Sequence, residues 1–221
     1  MPHTSIERPQ DAARQMLAEH RSRQLLDAAA RLMEREGSEA VSMQALAAEA
    51  GVSVGLIYRY FGSKDDVLLA VIVQVLEAFA TQVPRAIEAA GEDPVRRLSA
   101  AFAAYCTVID EHRHAAVLTY RESKSLDPAG RDRIKRLEVE TSQPLRDAVR
   151  SGVESGLLRT ADPDLVAYNL LLLAHAWALK HWYFEKTMTL EAYISAQLAL
   201  ALSAIVAPTS RRRYADLLSP S

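Results

Sequence analysis

The sequence predicts an all-α protein, and three observations carry that prediction. Apolar residues recur at helical spacing along most of the chain, first as Leu25, Leu26, Ala29, Leu32 and Met33 and later as Val67, Leu68, Val71, Ile72, Val75, Leu76 and Phe79. No sustained strand alternation interrupts them. Glycines are few, and Gly37, Gly51, Gly91 and Gly156 stand where helical patterns stop, as left-handed C-terminal caps do. Asp93-Pro94, Asp127-Pro128 and Asp162-Pro163 each place a capping acceptor before a proline that needs no donor in the first turn, so three helices start there. Pro144 falls inside an otherwise helical run, 128–155, and should kink or split it.

Composition bounds the function. A chain of 221 residues with 49% hydrophobic content can bury a proper core. The formal net charge of -2 means that a nucleic acid or a membrane would have to be met by a local patch. Cys106 is the single cysteine, which excludes an internal disulfide and fits a reducing cytosol. The opening MPHTSIERPQ lacks the apolar centre of a signal peptide. The longest apolar run, 170–179, is broken by His175 and is shorter than the ~20 residues that span a bilayer. A cytoplasmic protein without a membrane partner is expected. No metal or other cofactor is expected either, because His112 and His114 are two apart, off a shared helix face, and His175 and His181 are six apart. No nucleophile elbow, P-loop or dinucleotide fingerprint occurs, so the chain does not read as an enzyme.

Between Gly37 and Ser63 the elements become short. Ser42, Ser53 and Ser63 can each cap a helix; Val41 with Leu46, and Val52 with Ile57, fit hydrophobic staples, and Asp66 supplies an acidic capping partner to Ser63. Two helices of about nine residues joined by the turn AGVS make a helix-turn-helix, whose second helix can lie in a DNA major groove. On that second helix Ile57 and Phe61 point toward Leu46 and Ala47, which leaves Val54, Gly55, Tyr58 and Arg59 on other faces. Gly55 costs about 1 kcal/mol relative to alanine in a helix interior, which suggests close approach of something to the backbone. Serine and tyrosine hydroxyls, helix N-termini and Lys64 are suitable phosphate ligands. Residues 1–64 are nonetheless neutral overall: Arg8, Arg14, Arg21, Arg23, Arg31, Arg35, Arg59 and Lys64 are matched by as many acids. Attraction to DNA must come from how the charges are arranged.

The run LLDAAARLMEREGSEAVSMQALAAEAGVSVGLIYRYFGSKDDVLLAVI, residues 25–72, strongly resembles the amino-terminal DNA-binding domain of TetR-family transcriptional regulators. The order AxxAGVSxGxxYxYFxSKxxL is a specific signature, and this chain departs from it only by Val67 before Leu68. The resemblance implies that 53–61 is the recognition helix, with Ser53, Val54 and Gly55 toward base edges and Tyr58 and Tyr60 on phosphates. It implies that Ser42 and Gln44 meet the backbone and a base, since glutamine can pair bidentately with adenine. Lys64 would hold a phosphate, and Arg59 could serve either role. Arg14, Arg21 and Arg23 in the preceding arm could reach a minor groove or belong to a frayed helix.

The expected organisation is an N-terminal arm (1–20), a three-helix helix-turn-helix DNA-binding domain (21–66), a helical ligand-binding and dimerisation domain (67–207) and a C-terminal tail (208–221). One helix-turn-helix reads few base pairs, so double-stranded DNA with a palindromic operator and a homodimer are the implied partners. The helices at about 163–186 and 190–207 are apolar nearly all round and would form the dimer interface, with an intrachain core as the alternative. The family resemblance implies an effector pocket among the helices at about 94–184, with Tyr105, Cys106, Tyr120, Arg121, Lys124, Asn169, His175, Trp177 and Trp182 as candidates. Arg121 and Lys124 share a face beside Tyr120 and could meet a carboxylate or the phosphates of an acyl-CoA, or form a solvated face with Glu122. The reading is a ligand-responsive repressor released from its operator by a small hydrophobic or amphipathic effector, acyl-CoA-like in one version. The alternatives are a sensor of cationic or aromatic drugs controlling efflux, and a helical protein-interaction module without DNA binding.

Overall fold

The computed structural model describes residues 9–219, with side chains from His20 onward. The described residues are helical apart from short connections, and they form no sheet; Leu158 and Val206 make one isolated antiparallel bridge. The chain divides into two compact units between Val71 and Ile72.

The first unit holds α1 (Pro9–Glu36), α2 (Met43–Glu49), α3 (Val54–Tyr60) and the start of α4 (Lys64–Ala89). From Pro9 the expected arm is continuous with α1, so no break separates 9–20 from the helix that carries Leu25 and Leu32. Residues 1–8 and the side chain of Arg14 lie outside the described residues; Arg21 and Arg23 are exposed. Leu25, Leu32, Met33, Leu46, Ile57 and Val67 are all buried and form the core. Phe61 is only half-buried because α3 ends before it: its φ of -134° is extended, so it no longer follows Ile57 around the helix. The serine caps form as the spacing predicts. Ser42 Oγ accepts from the Ala45 N–H at 3.1 Å, and Ser53 Oγ accepts from the Leu56 N–H at 3.2 Å. Ser63 Oγ accepts from the Asp66 N–H at 3.2 Å and donates to the Asp66 carboxylate at 2.7 Å. Gly37 and Gly51, with φ of 83° and 66°, close α1 and α2 in a conformation that a Cβ would oppose.

The second unit continues α4 and adds α5 (Pro94–Glu111), α6 (Arg113–Glu122), α7 (Pro128–Glu154), α8 (Pro163–Leu179), α9 (His181–Phe184) and α10 (Leu190–Ile205). A 3-10 helix (Pro208–Tyr214) and α11 (Ala215–Leu218) follow. The Asp-Pro pairs open α5, α7 and α8, with the aspartate side chains accepting from N–H groups of the first turn. α5 packs against α7, α8 and α10, and α7 against α8. Phe102, Ile109, Leu145, Val149, Leu170, Ala174 and Leu202 fill the space between them.

Three expectations need correction here. Pro144 does not split α7. Side-chain donors gather at the carbonyls around the proline, which removes the N–H that would have bonded Glu140: Arg146 Nη2 donates to the Val139 carbonyl at 2.6 Å, and the buried Tyr105 hydroxyl donates to the Thr141 carbonyl. Residues 208–218 are not a loose tail. Tyr214 is fully buried, and its hydroxyl donates to Asp93 Oδ2 at 2.9 Å, beside Arg213 at 2.5 Å and an Arg96–Asp216 pair at 3.1 Å. The most membrane-like segment is α4 rather than 170–179. Its mean hydropathy reaches 1.8, enough by length and composition to cross a bilayer, but half of that stretch is buried inside the protein.

Candidate DNA-reading surface and ligand cavity

In the first unit the residues expected to meet DNA fall on two short helices. Ser53, Gly55, Tyr58, Arg59 and Tyr60 are exposed on or at the cap of α3, with Val54 half-buried at its start; Ser42 and Gln44 are exposed at the start of α2. Tyr58 keeps 52% and Tyr60 43% of their surface in the free protein, unusual for large rings on a seven-residue helix. A Cβ built on Gly55 meets nothing within 4 Å, so the fold itself places no demand for glycine there. Lys64 differs from its expected role in one respect. Its ammonium donates to the Glu39 carbonyl at 2.9 Å, which fixes the side chain and leaves two N–H groups for an anion. Arg35, by contrast, is bonded to Glu36 and Glu49, and these hydrogen bonds raise its already high pKa.

In the second unit a cavity of about 400 Å³ opens between helices. α4 supplies Ile72, Val75, Leu76 and Phe79, α8 supplies Leu171 and Leu172, and α5 supplies Ile109. The polar wall comes mostly from α7, with Lys135, Glu138, Thr141, Ser142 and Arg146, and from Thr119 and Tyr120 of α6 with Tyr168 and His175 of α8. The Tyr120 hydroxyl lies 2.8 Å from His175 Nδ1, and burial pushes the His175 pKa down to about 4. The imidazole is therefore neutral near pH 7. Burial also raises the Glu138 carboxyl above its ordinary range and moves Tyr120 up to about 12, Glu138 and Tyr168 adding to the latter shift. Arg146 Nη2 bonds the Val139 carbonyl and Ser142 Oγ, at 2.6 and 2.9 Å, while its buried Nε has no partner among the described residues.

Of the residues expected to line a pocket, Tyr120 and His175 do so. Tyr105 and Cys106 are core, and burial raises the Cys106 thiol to about 12 and the Tyr105 hydroxyl higher still. Trp177 is buried against Phe184 and Tyr193, with its indole N–H donating to Asp110 at 2.7 Å. Arg121, Lys124 and Asn169 are exposed and away from the cavity lining, and Trp182 keeps 63% of its surface. Glu138 and Arg146 were missed. A signal existed for the first: Ile134, Glu138, Thr141 and Leu145 follow helical spacing, and a carboxylate on that otherwise buried stripe is out of place unless something polar faces it.

An exposed, serine-capped helix-turn-helix in one unit and a partly polar cavity in a second helical unit define a helix-turn-helix transcriptional regulator. Residues 25–71 match the family model for bacterial regulatory proteins of the tetR family, and residues 91–205 match that for the tetracyclin repressor-like C-terminal domain. The chain belongs to the TetR family. It is 40% identical over 184 residues to the HTH-type transcriptional regulator HbdR of Aromatoleum sp. (strain CIB), an alignment covering 83% of this chain and 80% of that protein. Among solved structures, the TetR-family regulator PfmR from Thermus thermophilus is 28% identical, with a TM-score of 0.72 over 81% of this chain and 97% of its own. AibR, solved with isovaleryl coenzyme A and operator DNA, shares the fold at a TM-score of 0.69 and 23% identity, over 81% and 97% of the two chains.

Proposed function

We propose that this regulator binds a palindromic operator as a homodimer and represses transcription until an effector occupies the cavity of its second unit. The observation that carries this is the double membership of α4. Its first turn, capped by Ser63, holds Lys64 beside the helix-turn-helix, and its later turns put Val75, Leu76 and Phe79 on the cavity wall. A ligand touching those side chains acts on the helix that ends the DNA-reading unit. A difference of ~1 to 3 kcal/mol in effector affinity between operator-bound and released states would be ordinary coupling. In this reading α3 enters the major groove, with Ser53, Val54 and Gly55 toward bases and Ser42, Gln44, Tyr58, Arg59, Tyr60 and Lys64 around them on bases and phosphates.

Dimerisation is assigned to α8 and α10. Leu165, Tyr168 and Leu200 keep more than half of their surface exposed there, an apolar area that a second copy would cover. The effector is a small hydrophobic or amphipathic molecule. Acyl thioesters belong to that class, and AibR, with the same fold, was solved with one. A cationic drug controlling efflux is disfavoured by the guanidinium of Arg146 on the cavity wall, which has no carboxylate partner among the described residues. In this reading the protein works where DNA is, in the cytoplasm, and has no catalytic role.

The test is selection of random duplex DNA by the purified chain at ~0.15 M salt, where nonspecific phosphate binding is largely screened. An enriched palindrome, bound by the wild type and lost in the Tyr58→Ala, Lys64→Ala double variant while sedimentation still reports a dimer, supports the proposal. A folded, dimeric, ligand-free protein that enriches no sequence would refute it.

A further inference from the structure

We infer that the cavity takes an organic anion, its apolar acyl or aryl body against Phe79, Leu76 and Leu172 and its negative head on the guanidinium of Arg146. This rests on the reading of the cavity as the effector site. Arg146 is held from one side: Nη2 donates to the Val139 carbonyl and to Ser142 Oγ, both on its own helix. Its Nε is buried without a partner, and among the described residues no carboxylate forms an ion pair with it. A half-buried guanidinium on the cavity wall, with one edge fixed and no carboxylate partner, is suited to a planar or tetrahedral oxyanion.

The other charged groups on the wall form no ion pair with it. Lys135 adds a second cation, and its amine is bonded to Asp132 at 3.3 Å. Glu138 is the one acid among the cavity-lining residues, and burial favours its neutral form. The rest of the lining is largely apolar, so charge recognition is confined to the α7 side. At about 400 Å³ the cavity lies near the low end of the roughly 300–1,000 Å³ typical of ligand pockets. It encloses a compact body and not a whole nucleotide conjugate. Two sources offer the required head: the carboxylate of a free acid, or a phosphate of a coenzyme A thioester whose acyl end alone enters.

The experiment uses the full chain and displacement of the neutral fluorescent dye N-phenyl-1-naphthylamine. The competitors are octanoate and phenylacetate, their uncharged amides, and the matching coenzyme A thioesters. The wild type is expected to release dye to an anionic competitor at concentrations about tenfold or more below the matching amide. Arg146→Met should erase that preference, and Arg146→Lys should keep part of it. If the free acids compete best, the head is a carboxylate; if only the thioesters do, it is a phosphate. Equal competition by amide and anion, or a preference that survives in a folded Arg146→Met protein, overturns the inference and makes Arg146 a brace for the Pro144 region alone. Thr119→Trp, which fills the cavity, tests the underlying reading. Dye that fails to bind the wild type, or binds this variant equally well, removes the effector site itself and this inference with it.

Discussion

The hydroxyl of Tyr120 on α6 and Nδ1 of His175 on α8 lie 2.8 Å apart, with the two rings edge to face at 5.5 Å. The two side chains share one hydrogen bond, and the tautomer of the neutral imidazole sets which of them donates. Because burial lowers the folded pKa to about 4, below the ordinary 6.5, the unfolded chain takes up the proton first as pH falls. Stability from this group is complete above about pH 6.5 and drains away between there and pH 4, by on the order of 3 kcal/mol at the acid end. Denaturant titrations of wild type and His175→Gln from pH 7.5 to 4.5 should converge as pH falls. Parallel profiles would show that His175 does not titrate in this way.

Gly55 yields a prediction of opposite signs. Open space surrounds the position, so Gly55→Ala should stabilise the free protein by up to about 1 kcal/mol through helix propensity. The same methyl projects where DNA is proposed to lie, and operator affinity should drop by about tenfold or more. Thermal melts and fluorescence anisotropy separate the two. A variant that is both more stable and equally tight on operator would place the DNA elsewhere on the helix.

Lys64 is tied to the Glu39 carbonyl, and its two possible roles leave different traces. As a phosphate ligand, Lys64→Met should weaken binding to every sequence alike and lower the slope of log K against log salt by about 1. As a tie alone, it should lower the melting temperature and leave that slope unchanged. The former is expected, with a modest loss of stability alongside it.

The parts of the fold that were legible in the sequence are those set by local chemistry. Asp93, Asp127 and Asp162 had to cap helices because proline follows each, and the serines at 42, 53 and 63 had to accept from the turn beyond them. The cavity was less legible because it depends on which face of each helix meets its neighbours. Arg121 and Lys124 do not share the expected helix face, because α6 ends at Glu122 and Lys124 falls in the turn beyond it; both look to solvent. Trp177 reads equally as a pocket wall or as core, and only the aspartate at 110, far away in sequence, settles it as core. Arg146 was hidden by its own ordinariness on a charged helix. Its significance depends on Tyr105, Val139 and Pro144 being brought together.

The docked end of the chain gives the last prediction. Asp93 has two tasks: Oδ1 caps α5 through the Val95 and Arg96 N–H groups, and Oδ2 receives Tyr214 and Arg213. Burial alone would raise its carboxyl pKa, but hydrogen bonds from the Arg96 N–H and the Tyr214 hydroxyl, the Arg213 charge and the Val95 N–H outweigh it and hold the pKa below the ordinary value. Its contribution is therefore present above the unfolded pKa of ~4 and lost as pH falls through the lower folded value. Tyr214→Phe removes one hydrogen bond to a charged acceptor and should cost about 1.5–3 kcal/mol. Tyr214→Ala also empties a fully buried aromatic site and should cost about 3–5 kcal/mol. Urea unfolding of the two variants measures the difference. If residues 208–218 contributed nothing to the second unit, both variants and a chain ending at Ala207 would unfold with the wild type.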